Sequence, residues 1–193
     1  MIRGRLLVGV AAVLLLLTGC TEQGSQVGSA GPGFITGDGT ITEWQKPTTQ
    51  PVTFSGKTID GTTFSSKDHL GDVVVVNFWY AGCPPCRAEA PTLNDLADAF
   101  EGDGVQFVGV NISDDRATAA SFERTFTSTY PSIVDQEQGA AVQLAFAANR
   151  SPKAVPSTLV LDREGRVTAR IVGLANKSNL RTLVQDAVDG QAS

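Results

Sequence analysis

The stretch Asn77-Phe78-Trp79-Tyr80-Ala81-Gly82-Cys83-Pro84-Pro85-Cys86-Arg87-Ala88-Glu89-Ala90-Pro91 decides how this chain is read. It sets two thiols three positions apart, between an apolar run ending at Trp79 and a helical pattern opening at Pro84. Val73-Val74-Val75-Val76-Asn77-Phe78-Trp79 is apolar almost throughout, as expected of a central strand covered on both faces. Past Cys83, Pro84 and Pro85 suit a first helical turn, where a missing N–H costs little. Leu93, Leu96, Ala97 and Phe100 then recur at helical spacing. Pro91 predicts a kink inside that helix, and Gly102 and Gly104 its end. A lone Cys-x-x-Cys between a strand and a helix reads as a dithiol/disulfide redox centre. The competing readings are a permanent staple, which adds little stability when it closes so small a loop, and a metal half-site, which needs further ligands.

Outward from this stretch, Thr58-Ile59-Asp60-Gly61-Thr62-Thr63-Phe64 predicts a hairpin with a two-residue Asp-Gly turn. Val105 to Val110 predicts a second core strand. Ser113 or Asp114 is placed to cap a helix carrying Ala119, Phe122 and Phe126 on one side. A short strand at Ile133-Val134, a helix from about Ala140 to Ala147 and a loop from Asn149 to Ala154 follow. Thr158 to Leu161 and Arg166 to Val172 flank Asp162-Arg163-Glu164-Gly165 as an antiparallel hairpin, and Leu180, Leu183, Val184, Ala187 and Val188 mark a closing helix that Gly190 stops. This order predicts an α/β domain: a mixed central sheet flanked by helices, with an N-terminal β-hairpin extension. The unit over residues 72–110 is expected to pair in parallel through a right-handed crossover.

Joined to Val155-Pro156-Ser157-Thr158 about seventy residues on, the cysteine stretch resembles the thioredoxin fold, and within it the membrane-tethered TlpA/ResA-like thiol-disulfide oxidoreductases. The likeness covers roughly residues 50 to 190. Cys83 precedes a helix start, where the dipole favours an anion, which makes it the candidate attacking thiolate; Cys86, one turn in, is expected to be less exposed and to resolve the mixed disulfide. Both residues between them are proline, so two amides that could face the Cys83 sulfur are missing. A weakly acidified Cys83 makes the pair a reductant more than a strong oxidant.

Glu89 lies three residues beyond Cys86 on nearly the same helix face. The resemblance implies a carboxylate there that moves protons or discriminates partners; otherwise Glu89 is a solvated residue pairing with a nearby arginine. Pro156 matches the family's cis-proline, and the resemblance implies that the backbone of Val155 is left free to bond an extended substrate segment. Trp79 either walls the site or is a core aromatic. Asn77 stands where many thioredoxins carry a buried acid, and that departure shifts the proton-moving role to Glu89.

The remaining sequence gives an address. Residues 1–19 read as a signal peptide, with Arg3 and Arg5 ahead of an apolar core from Leu6 to Leu17 and small residues before Cys20. The end of this segment resembles a bacterial lipobox, which implies acylation of Cys20; the other reading is a plain secretory signal. Residues 20–46 are rich in Gly, Ser and Thr and read as a flexible tether, leaving 47–193 as a thioredoxin-like domain, enough chain for one core. The formal charge is −5, and removing Arg3 and Arg5 with the signal, from fifteen basic against twenty acidic residues, leaves −7. No basic patch invites nucleic acid, and membrane attachment would rest on acyl chains instead of charge. The expected location is the extracytoplasmic face of the cell membrane, by lipid anchor.

The resemblance implies protein disulfide or dithiol substrates, apocytochrome c before haem attachment among them, and an integral-membrane thiol carrier as electron donor. No cofactor or metal is expected. Two other families share the architecture. Sco-type copper modules carry Cys-x-x-x-Cys and a histidine far downstream, whereas here two residues separate the cysteines and the single histidine, His69, lies upstream. Thiol peroxidases carry a small hydroxyl residue three positions before the reactive cysteine, where this chain has Tyr80.

Overall fold

The computed structural model describes residues 39–44, 47, 50–148, 151–152 and 154–190; the expected signal, Cys20 and the tether through residue 38 lie outside the described residues. In chain order the elements are β1 (Thr40–Glu43), β2 (Ser55–Lys57), β3 (Thr63–Ser65), β4 (Val73–Trp79), α1 (Pro84–Ala99), β5 (Val105–Asn111), α2 (Arg116–Phe126), β6 (Ser132–Val134), α3 (Ala141–Ala147), β7 (Ser157–Leu161), β8 (Val167–Val172) and α4 (Lys177–Val188).

Every residue of β4 is buried, which is what its unbroken apolar run requires. Successive side chains of a strand point to opposite faces, and here they feed two cores. Val74, Val76 and Phe78 join one with Phe54, Phe146 and Leu159. Val73 and Val75 join the other with Leu93, Leu96, Leu180 and Val184 from α1 and α4. The main sheet runs β1-β8-β7-β4-β5-β6. β4 pairs in parallel with β5, as the crossover rule anticipates, and antiparallel with β7. The mixed α/β sheet is the architecture expected from the order of elements.

The structure departs from the sequence reading in detail. The hairpin at Asp60-Gly61 is present, but beyond the Lys57–Thr63 pair the Thr58 N–H bonds the Thr62 carbonyl at 3.0 Å, so the loop is residues 59–61, three residues instead of two. Thr58 also bridges to Ile133 of β6, and its hydroxyl donates to the Thr62 carbonyl as well. α1 continues through Pro91 to Ala99, ending before Gly102; a proline there deletes a single backbone hydrogen bond. The cap of α2 is Asp115, whose carboxylate accepts the Thr118 N–H at 2.8 Å, not Ser113 or Asp114. Within the stretch assigned by composition to the tether, Thr40–Glu43 forms an edge strand antiparallel to β8. Its Thr-Ile-Thr sequence favours strand, a local signal outweighed in the reading by the surrounding glycines.

His69 ends a 3-10 turn ahead of β4, stacked on Phe64 at 4.8 Å, with its Nδ1 3.6 Å from Asp72. Seven strand residues separate it from the cysteine end of β4, roughly 20 Å of extended chain. Among the described residues no group of three or more His, Cys, Asp and Glu is placed to hold a metal ion. Nor is any described helix long and apolar enough to cross a membrane.

Candidate active site

β4 delivers the site. Its last residue is Trp79; a short loop over Tyr80 to Gly82 then leads to Cys83, the N-cap of α1. That loop is gripped from the end of the neighbouring strand. Asp114 Oδ2 accepts the Ala81 N–H at 2.6 Å and the Asn111 side-chain amide at 2.7 Å, while Asn111 Oδ1 accepts the Asp114 N–H at 2.8 Å. From the helix side, the Arg87 guanidinium donates to the Ala81 carbonyl and lies over the Phe126 ring at 5.0 Å.

Cys83 and Cys86 are joined as a disulfide, with Cα atoms 5.3 Å apart. Since Pro84 and Pro85 carry no N–H, the first amide able to reach the Cys83 sulfur is that of Cys86, and it does so at 3.2 Å. One donor therefore faces the sulfur where an unsubstituted first turn would offer more. Exposure does not separate the two cysteines as expected: Cys83 is 0% and Cys86 2% exposed in this disulfide form. Position separates them instead, because Cys86 lines a small pocket, together with Asn77, Trp79, Phe122, Tyr130 and Ser132.

Glu89 is not a solvated surface residue. It is 1% exposed; Oε1 accepts from Asn77 Nδ2 at 2.8 Å and Oε2 from the Ala175 N–H at 2.8 Å. Burial pushes its carboxyl up to about 7, against the downward pull of those two donors. Asn77 also donates to Thr158 Oγ1 at 3.1 Å, so α1, β4 and the segment before α4 meet on one buried carboxylate and β7 is tied to it through Asn77. The buried acid of this chain thus sits on the helix at Glu89, held by the strand residue Asn77.

Trp79 is 4% exposed, with its ring 4.3 Å from Phe122, and therefore packs as a core aromatic while lining the Cys86 cavity. The Val155–Pro156 bond is cis, and Phe78 pairs with Ser157, which sets Pro156 level with Trp79 at the cysteine end of the sheet. Val155 is buried in the same cluster as the disulfide. Sequence reasoning missed the gripping role of Asp114 and the cavity residues Tyr130 and Ser132. The run Asn111-Ile112-Ser113-Asp114 after a core strand is a signal for the former, as side chains of this type bond backbone amides beyond a strand end. The latter lie far apart in sequence from Cys86 and leave no local signal.

The AhpC/TSA family model matches residues 48–170 of the chain, spanning the hairpin, both cysteines, the cis-proline and most of the sheet. The chain belongs to the AhpC/TSA family. Among members of known name it is similar to the thiol-disulfide oxidoreductase ResA of Geobacillus thermodenitrificans, 26% identical over 155 residues, or 80% of this chain and 74% of that one. It is also 30% identical to the thioredoxin-like protein YneN of Bacillus subtilis over 135 residues, 68% of this chain and 74% of that one. Of solved structures, a thiol:disulfide interchange protein of the thioredoxin family from Chlorobium tepidum superposes with a TM-score of 0.66 at 29% identity, covering 74% of this chain and 97% of that one. This AhpC/TSA-family protein has the thioredoxin fold, is akin to the ResA-like proteins, and is a thiol-disulfide oxidoreductase.

Proposed function

We infer that this oxidoreductase reduces protein disulfides outside the cytoplasm, tethered by lipid on Cys20, with Cys83 attacking and Cys86 resolving. The single observation that supports the reducing direction is the diproline first turn. Thiolate stabilisation at a helix mouth comes largely from amides aimed at the sulfur, and here one amide, that of Cys86, does so. A reduced form without extra stabilisation gives its electrons away more readily.

Glu89 is the proton-moving group, buried one turn from Cys86 and titrating near neutrality, where it exchanges protons in the working pH range. Val155 and Pro156 contact the substrate chain and Trp79 backs the site. The substrate class is a protein carrying a Cys-x-x-Cys disulfide, such as apocytochrome c before haem attachment, with electrons resupplied by an integral-membrane thiol carrier. The acidic chain suits a basic partner better than an acidic one.

Equilibration with thiol buffers tests the direction. The expected midpoint lies near the thioredoxin end of the scale, below about −220 mV, and a value near about −120 mV, that of a strong oxidant, overturns the reading. The same reduced protein is expected to open the disulfide of a Cys-x-x-Cys-His peptide faster than it reduces glutathione disulfide; equal rates would remove the haem-attachment motif as its target.

A further inference from the structure

The chemistry leaves one requirement unassigned. When a donor thiolate attacks Cys83 Sγ, a donor–Cys83 bond forms, the Cys83–Cys86 bond breaks and its electron pair leaves on Cys86 Sγ. That sulfur is 2% exposed, and a buried thiolate must gain a proton quickly if the step is not to run backwards. Glu89 is poorly arranged to provide that proton alone, because each of its oxygens already accepts from a fixed nitrogen donor.

Cys86 also lines a small pocket of about 10 Å³, room for a single water molecule, with Asn77, Ser128, Tyr130 and Ser132 among its walls. Ser132 Oγ and Trp79 Nε1 converge above Gly109: a Cβ there would meet them at 2.3 and 2.7 Å, so only glycine allows this approach. Beyond Ser132 stands Glu123 of α2, whose Oε1 is buried and has no hydrogen-bond partner. Nothing in the fold explains a carboxyl oxygen left bare there, and an unpartnered buried polar atom is costly.

We propose that Glu123 is a second positioning residue for the thiol pair, passing a proton through Ser132 and a water in the cavity to the Cys86 thiolate. The proposal rests on the assignment of Cys83 and Cys86 above. Its balance is simple: the Glu123 carboxyl and the Cys86 thiolate become a Glu123 carboxylate and a Cys86 thiol, and the half-buried Glu123 recovers its proton from solvent. Burial raises the titration of Glu123, hydrogen bonding by Ser132 lowers it in part, and Asp60 of the β2–β3 loop raises it further. Tyr130, another wall of the pocket, is held protonated by burial first and then by the charges of Glu89 and Glu123. Asp60, Glu89 and Tyr130 are thus the titratable groups tied electrostatically to Glu123 and the pocket wall.

The test is reduction of the oxidised protein by excess dithiothreitol, followed by acid quench and alkylation between about pH 5 and 9, with rates corrected for the reagent's thiolate fraction. The wild-type rate is expected to fall as pH rises through the Glu123 titration. Glu123→Gln lowers the rate about tenfold on the acid side and abolishes that fall, so the two curves meet at alkaline pH. Ser132→Ala gives the same loss with the carboxylate in place, and Glu89→Gln keeps the Glu123-dependent fall. A folded Glu123→Gln or Ser132→Ala protein whose profile runs with that of the wild type overturns the relay; where Glu123→Gln does not fold, Ser132→Ala decides. Exchange persisting in Cys83→Ser would instead sink the assignment of the cysteines, an outcome read independently of both variants.

Discussion

Cys83→Ser is expected to lose thiol-disulfide exchange by on the order of a thousandfold or more, while Cys86→Ser retains the first attack and accumulates a mixed disulfide. The asymmetry follows from where the two sulfurs sit. Cys83 is the N-cap residue, outside the helical hydrogen-bond ladder, with its sulfur receiving the Cys86 N–H. Cys86 is inside the first turn, 2% exposed, and lines a small pocket. Serine in either position preserves the shape of the turn, so loss of activity reports on sulfur chemistry and not on the fold. Intact-protein mass after incubation with a disulfide substrate is the measurement: an adduct on Cys86→Ser and none on Cys83→Ser is the expected pattern, and the reverse pattern would exchange the two roles.

Glu89 sets the second large effect. An unfolded glutamate titrates near 4.5 and this one, buried, at about 7, so the folded state holds its proton more tightly than the unfolded state does. For an acid raised in this way stability is greatest at low pH and is lost as pH rises between those two values. The difference corresponds to about 3 kcal/mol, to order of magnitude. Glu89→Gln, which keeps an acceptor for Asn77 or for Ala175 but carries no charge, is expected to remove that slope. Its melting temperature should exceed that of the wild type above neutral pH and approach it near pH 5. Thermal melts of both proteins across this range check it; parallel curves would mean that burial does not hold the Glu89 proton in the folded state.

Much of the architecture was legible because the chain writes it locally. The valine run of β4, the diproline after Cys83 and the Asp-Gly hairpin each combine a composition with a spacing that few structures satisfy. Glu89 was legible by helical periodicity as a neighbour of Cys86, but its burial was not, since nothing in the sequence of α1 says that Ala175 and Asn77 will converge on it from eighty-six and twelve residues away. The cap of α2 shifted by one or two residues because three consecutive polar residues, Ser113, Asp114 and Asp115, are all competent caps, and the tertiary demand for Asp114 at the Ala81 amide chose among them. Tyr130, Ser132 and Glu123 were illegible for a different reason: they are ordinary residues made significant by a cavity, and a cavity is a property of packing across elements.

The strand Thr40–Glu43 has a practical corollary for anyone preparing this protein. It hydrogen-bonds along Ala169–Val172, whereas the family match begins at residue 48 and excludes it. A shortened protein started at that boundary would keep its cysteines and its chemistry but lay bare the rim of the sheet, a ladder of backbone amides and carbonyls flanked by apolar side chains. Such rims stack on one another, so the trimmed material would turn cloudy on concentration long before it lost activity.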